Sequence, residues 1–359
     1  MPYPTDQTHS IQITRTVAAL GQHIDVLFVV GALTVPREDL QGAIRRQYGV
    51  ELGPRVRIAV MPRRRLRTLT FPFALKALLR DAPTGTHFYT RSVPVAAKLV
   101  RFRWLHRKRV FLETHKKAGY VKEDPVPGSR YSAIRERFEK TNERLSFIRR
   151  LYSRVDCLFF LHRHSMDIAR REVALRDSEH LWYGCRAERP VLEPRGGGFV
   201  HCGSIAEHKL FDLLLDALDR SESQVRVSVY GGDPSRIAEL RHAVRGRPCS
   251  ERLDFRGWFT HADLQRQLSG FQYGIALQEG LKVVDYLENG LLPIVPDLPS
   301  YRDVLDDRHA FFFRADDPES LARCLDRAGE RRPDPVAIDE LLTAYSVDRR
   351  AEKILAHLG

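Results

Sequence analysis

Cysteine is scarce in this 359-residue sequence, and its five copies stand alone: Cys157, Cys185, Cys202, Cys249 and Cys324, with no C-x-x-C pair. An odd, unpatterned set fits free thiols in a reducing cytoplasm better than a disulfide framework or a zinc site. Long apolar runs are lacking too. A membrane span needs roughly 18 consecutive apolar residues, whereas "DVLFVVGAL" is of strand length. The amino terminus, "MPYPTDQTHS", has neither the basic start nor the apolar core of a signal peptide. What remains is a soluble globular composition, 43% hydrophobic and 29% charged. The length suffices for two domains with separate cores.

Charge is abundant but uneven. Residues 1–190 hold 36 Lys+Arg against 18 Asp+Glu, while residues 191–359 hold 22 against 28. The excess peaks between Arg55 and Arg109, with "RRRLR" at 63–67 and "RFRWLHRKR" at 101–109. Such a patch favours an anionic partner: a phospholipid surface, a lipid-linked phosphate or nucleic acid. The plain alternative is an ordinary solvated surface. Nucleic acid is the weakest of these partners, because the sequence carries no binding module and no array of stacking aromatics.

Short β-branched runs alternate with helix-length amphipathic stretches. Strands are expected at "IDVLFVV", "VRIAVM", "THFYTR", "RVFLET", "DCLFFLH", "FVHCGS", "VRVSVYGG", "LDFRGW", "YGIAL", "LPIVP" and "AFFFR". Alternation at this spacing predicts α/β architecture with parallel sheets covered on both faces. The segment "RAERPVLEPRGGG" at 186–198 joins prolines to a glycine run where the charge changes sign, and so marks a linker. The expected arrangement is two Rossmann-like, doubly wound domains facing across a cleft. The first covers 1–187, a linker 188–198, and the second 199–340. A carboxyl-terminal helix within 341–359 is expected to pack back on the first domain.

Ligands of doubly wound sheets sit outside the carboxyl ends of strands. "HCGSIAEHK" supplies Gly203, Ser204 and Lys209 at one such end, and "VSVYGGD" and "FRGWF" supply two more. In "EGLKVVDYLENG", Gly280 and Leu281 lead into a helix that carries Lys282 and Asp285 on one face. Glycine loops let backbone N–H groups and a lysine hold a diphosphate, while a carboxylate accepts from vicinal ribose hydroxyls. For Lys282 and Asp285 the alternative is a surface ion pair at i, i+3. Four glycine loops at strand ends favour a nucleoside diphosphate.

The ordered series "GSI–EHK", "VYGGD", "F-G-W–ADLQRQL", "GIAL–KVVDYLENGLLPIV" and "ADDPESLA" resembles the carboxyl-terminal half of the retaining GT-B glycosyltransferases. The similarity is greatest to the family with bacterial mannosyl- and glucosyltransferases of polysaccharide and glycolipid assembly. "YPTDQTHSIQITRTVAAL", "HFYTRSVPVAAKLV" and "RVFLETH" look like its amino-terminal half. The resemblance implies that Lys209 binds the donor diphosphate beside Gly203 and Ser204. It implies that Asp285 replaces the second glutamate of E-x7-E on the ribose, with Lys282 placed as in K-x-x-E-Y variants. Gly257 and Trp258 fall at the base, and His115, next to Glu113 and Lys116, faces the donor sugar as the catalytic residue. Arg63, Arg64 and Arg65 lie on the implied acceptor or membrane face. The resemblance further implies a nucleotide-diphosphate sugar donor, a glycan or lipid-linked acceptor, no cofactor and no metal; the D-x-D metal-diphosphate motif of the other main glycosyltransferase fold does not occur.

Three departures qualify that picture. Leu277 occupies the first acidic position of E-x7-E, with Glu279 two residues on as a candidate substitute for sugar binding. Asp285 is shorter than glutamate. The family's first strand precedes "YPTD", yet here Met1 stands directly before Pro2-Tyr3; either a central strand is dispensed with or the start lies upstream. These departures keep open a relative that binds nucleotide sugar or glycan without transfer. The expected location is cytoplasmic, peripheral on the inner face of a membrane.

Overall fold

The computed structural model of the chain describes residues 2–5, 8–61, 70–80, 82–114, 131, 145–186, 198–203, 205 and 210–358. Two compact units emerge. One takes the described residues of 1–121, 142–184 and 347–359, the other those of 122–141 and 185–346. The units thus divide at Gly184–Cys185 and Ser346–Val347, where the sequence reading set boundaries at 187 and 340.

In the first unit, eight strands form three parallel sets. These are β1 (Pro2–Tyr3), β2 (Val26–Val30), β3 (Ala32–Leu33), β4 (Val56–Val60), β5 (Phe88–Thr90), β6 (Val110–Thr114), β7 (Cys157–Phe160) and β8 (Ser178–His180). Strands β5-β6-β7-β8 make a four-stranded sheet, while β2 pairs only β4 and β1 only β3. The expectation was one doubly wound sheet. Among the described residues no ladder joins the three sets, since two-residue β1 reaches only Ala32 and Leu33. β6 and β7 are buried along their whole length, as uninterrupted apolar runs require. The helix Val347–Ala356 packs against the helix Thr8–His23, burying Ala351 and Ile354 beside Ala19 and Leu20. The last segment of the chain therefore completes the first unit's core.

The second unit holds one six-stranded sheet: β9 (Phe199–Cys202), β10 (Val227–Tyr230), β11 (Leu253–Gly257), β12 (Tyr273–Ile275), β13 (Leu292–Pro296) and β14 (Phe311–Phe313). Their spatial order is β11-β10-β9-β12-β13-β14, with every neighbour parallel. The chain winds outward from β9 in one direction, then returns to β12 on its other side. That reversal creates a topological switch point at the carboxyl ends of β9 and β12, the place where such sheets take ligands. Helices cover both faces. Leu213, Leu214 and Leu218 of the helix Phe211–Arg220 are fully buried on the sheet with Leu321 and Leu325 of the helix Pro318–Arg327. Each such side chain stabilises by about 1.5–3 kcal/mol relative to exposure. Tyr131 belongs to this unit, its hydroxyl donating to Asp216 at 2.6 Å.

Candidate functional site at the switch point

Three strand ends meet through glycine. The Gly203 N–H donates to the Tyr230 carbonyl at 2.9 Å, and the Gly231 N–H donates to the Gly257 carbonyl at 2.7 Å. Gly203 and Gly231 have φ of +132° and +139°, values that side-chain-bearing residues rarely adopt. A Cβ on Gly231 would stand 1.9 Å from the Gly203 oxygen, and one on Gly203 would stand 3.0 Å from Lys282 Nζ. Only glycine lets these ends close and lets the Lys282 ammonium lie over β9.

The expectation that glycine N–H groups face a phosphate is corrected here. The Gly203 N–H is spent on Tyr230, and the Gly280 N–H donates to the Tyr301 hydroxyl at 3.2 Å. Gly203 acts through the space it leaves under Lys282, whereas a Cβ on Gly280 would meet nothing within 4 Å. Leu281 is buried, and Gly257 leads into Trp258, which is exposed. His115, Ser204, Lys209 and Arg63, Arg64 and Arg65 lie outside the described residues.

Two tyrosines that the sequence reading passed over fix the loops. Tyr286 is fully buried; its hydroxyl accepts from the Cys202 N–H and donates to the Ile275 carbonyl, both at 3.0 Å. It thereby closes the ends of neighbouring β9 and β12 where their own ladder stops. Its ring fills the space over Gly274, where a Cβ would meet the ring at 2.3 Å. Tyr301 repeats the device, donating to the Gln278 carbonyl at 3.1 Å while it accepts from Gly280. Burial drives the Tyr286 phenol well above its ordinary pKa, so it stays a neutral donor.

Asp285 sits on the helix Lys282–Glu288 and is 6% exposed. Its Oδ1 accepts from His261 Nε2 and from Gln265 Nε2, both at 2.9 Å. Both donors come from the helix His261–Leu268, whose first turn is capped by the Thr260 side chain. Gln265 is itself oriented, because its Oε1 accepts from Arg186 and Asn289 at 2.8 and 2.6 Å. Arg186 in turn donates twice to the wholly buried Glu288, at 2.7 and 3.0 Å. The carboxylate of Asp285 is therefore held in one rotation rather than paired with Lys282 on a surface. The sequence did carry a signal for this: His261 and Gln265, four residues apart, share one helix face directly after β11.

Below Lys282 lies His201 of β9, 1% exposed. Its Nδ1 donates to the Ile275 carbonyl at 3.0 Å, and burial, aided by the Lys282 charge, pushes its pKa down to about 3. A neutral imidazole adds no competing charge beneath the cation.

Leu277, where the resemblance calls for an acid, is 2% exposed and packs in the apolar core of this unit. Glu279 follows in the partly buried loop pinned by Tyr301. In the first unit, Glu113 is likewise no exposed partner for chemistry. It is 1% exposed, with Arg350 Nη2 at 2.6 Å and the Tyr89 hydroxyl donating to it.

Residues 197–330 match the model of the family described as glycosyl transferases group 1. No curated protein sequence matches the chain significantly. Among solved structures, sucrose-phosphate synthase (tll1590) from Thermosynechococcus elongatus superposes with a TM-score of 0.73 at 16% identity, over 98% of this chain and 92% of that one. Anabaena Alr3699/HepE, crystallised with UDP, gives 0.69 at 11% identity, over 99% and 97%. The lipopolysaccharide outer core galactosyltransferase WaaB gives 0.62 at 12%, over 92% and 98%. The chain has the GT-B fold, and its residues 197–330 match the family of group 1 glycosyl transferases.

Proposed function

We propose that this protein transfers a sugar, with retention at the anomeric carbon, from a nucleoside-diphosphate donor to a polysaccharide, glycolipid or other glycan acceptor. The observation that carries the reading is Asp285, buried and held by His261 and Gln265 at the switch point of the second unit. A carboxylate fixed in this way suits the vicinal hydroxyls of a ribose. Trp258, exposed after β11, is assigned to the base. Lys282 and Lys209 are assigned to the diphosphate, with Gly203 and Ser204 in the adjoining loop. These cations would stabilise the charge that develops on the departing diphosphate, which in retaining transfer can itself take the acceptor's proton. The scheme asks for no metal and no cofactor. His115 is assigned to the donor sugar and Glu279 to its hydroxyls. The setting we infer is the cytoplasm, peripheral on the inner face of a membrane, where lipid-linked acceptors are met. HepE binds UDP, and related structures were solved with UDP-glucose or with UDP and GlcNAc, which supports a donor of this class.

A panel of nucleotide sugars, assayed for release of nucleoside diphosphate with the product anomer read by NMR, tests the proposal. Turnover with retained configuration is the expected result, and inversion would remove the retaining assignment. One observation favours a second reading, a relative that binds the donor without transferring it: Leu277 lies in the core where the family places an acid. Donor binding with no turnover on any acceptor would select that reading.

A further inference from the structure

Phe73 and Trp104 are 77% and 72% exposed, more than any other large apolar side chain among the described residues. Both lie in the first unit, and their surroundings are cationic. On the helix Phe71–Leu79, Phe71, Ala74 and Leu75 are buried, whereas Phe73, Lys76 and Ala77 face solvent, continued by Arg80 just past its end. The exposed set recurs at i, i+3, i+4 and i+7, the period of one helix face. This helix packs on the short helix Arg103–His106, with the Phe71 and Phe102 rings 6.0 Å apart. Trp104 therefore emerges beside the same element.

Next to Trp104 is a recess of about 350 Å³ lined by Arg103, Trp104, Arg107, Lys108, Arg109 and Asp156. The single carboxylate in it is already matched. Arg103 donates to both Asp156 oxygens, at 2.7 and 3.1 Å, and Arg176 adds a third bond at 3.0 Å. The recess is left with a surplus of positive charge. At its rim Arg107 ends the short helix with φ of 51°, a left-handed position where glycine is the ordinary choice. The chain keeps an exposed arginine there instead.

We propose that this face docks on an anionic phospholipid bilayer, with Phe73 and Trp104 entering the interfacial layer and the Arg107 recess taking lipid phosphate. Exposed aromatics beside a cationic recess match the two layers of a bilayer surface, headgroup charge and acyl boundary. Tryptophan is the side chain most at home at that boundary. A nucleic-acid groove would instead track cations along a path with flat stacking platforms, and here the aromatics project from helices. The inference deepens the membrane setting proposed above; its observations come from the first unit alone and do not depend on the transfer chemistry.

Flotation of the full chain with phosphatidylcholine vesicles, with and without phosphatidylglycerol, tests it. Binding is expected only with phosphatidylglycerol, and should weaken as salt rises, over a Debye length of about 10 Å at 0.1 M. A Phe73→Ser/Trp104→Ser variant should lose about tenfold or more in vesicle partitioning, and Phe73→Leu/Trp104→Tyr should recover part of it. Both side chains are exposed, so thermal melts of the variants should match the parent. In a Trp258→Phe background, brominated lipid should quench Trp104 fluorescence. Several results would overturn the proposal: equal flotation of parent and serine variant, tighter binding to an RNA oligonucleotide than to the vesicles, or self-association abolished by the same substitutions. Turnover of a soluble acceptor is a separate readout, so failure here leaves the enzymatic reading untouched.

Discussion

The two units close the ends of their sheets with different chemistry. In the first, the end of β6 carries Glu113, buried against Arg350, with Tyr89 and Arg91 also turned toward its carboxylate. Arg350 donates further to the Leu181 and Trp182 carbonyls at 2.9 and 2.5 Å. In the second unit, neutral phenols do the closing: Tyr286 and Tyr301 each bridge an N–H to a carbonyl. Removing one partner of a buried ion pair costs about 3–5 kcal/mol, whereas trimming a buried hydroxyl bridge costs about 1–3 kcal/mol for a backbone group left unsatisfied. The first unit thus spends its buried charge on holding the chain's last helix. The second closes its strand ends with phenols and buries charge at Asp285 and at Glu288 beside Arg186.

The largest expected effect breaks the first unit's closure. Arg350→Ala leaves Glu113 buried without its main partner and should destabilise by about 3–5 kcal/mol in denaturant melts. Arg350→Lys should recover only part of that, because one ammonium cannot replace the guanidinium's several bonds.

The corresponding break in the second unit is Gly274→Ala, whose methyl would collide with the Tyr286 ring. Overpacking of this kind costs about 1–3 kcal/mol. Tyr286→Leu should relieve the clash, so a double-mutant cycle should show coupling, not additivity.

Acid sharpens the contrast. His201 has a folded pKa lowered to about 3, against an ordinary 6.5. As pH falls below about 6.5 the unfolded chain takes a proton that the folded chain refuses. Stability should then decline down to pH 3, by at most about 1.4 kcal/mol per pH unit. His201→Gln should flatten that part of the stability curve, and an unchanged slope would mean that the histidine is protonated in place.

A smaller effect is expected from the network around Asp285. His261→Ala and Gln265→Ala should each raise the nucleotide Kd several-fold, about 0.5–1.5 kcal/mol, and lower the melting temperature, since each leaves the buried Asp285 carboxylate short of a donor. His261→Asn should restore part of the affinity.

The strands of both units were legible wherever β-branched runs reached four or five residues, as in "VRIAV", "VFLET" and "LPIVP". β1, β3 and β8 escaped because "PY", "AL" and "SEH" lack the aromatic or β-branched runs that marked the equally short "FYT", "YGI" and "FFF". The position of Asp285 was legible; of its fixation only the shared helix face of His261 and Gln265 was, because which face meets a carboxylate 24 and 20 residues on is set by the tertiary fold. Glycine loops suggested N–H donors for phosphate, but the hydrogen bonds of Gly203 and Gly280 depend on Tyr230 and Tyr301, partners that only the tertiary fold supplies. Charge counting found the basic first half but missed Phe73 and Trp104, because exposure of an apolar side chain is invisible to composition.

The central claim is that Asp285 holds a ribose at the switch point of the second unit. Calorimetric titration of UDP, GDP and ADP, each with its 2′,3′-dideoxy analogue, into the parent and Asp285→Asn proteins tests it most directly. At least one diphosphate should bind the parent, and Asp285→Asn should weaken it about tenfold, equivalent to about 1.4 kcal/mol. The dideoxy analogue should bind the parent as weakly as the ordinary nucleotide binds the variant, and the variant should not discriminate between the two. Equal affinity of parent and variant, or undiminished discrimination in the variant, would contradict the account.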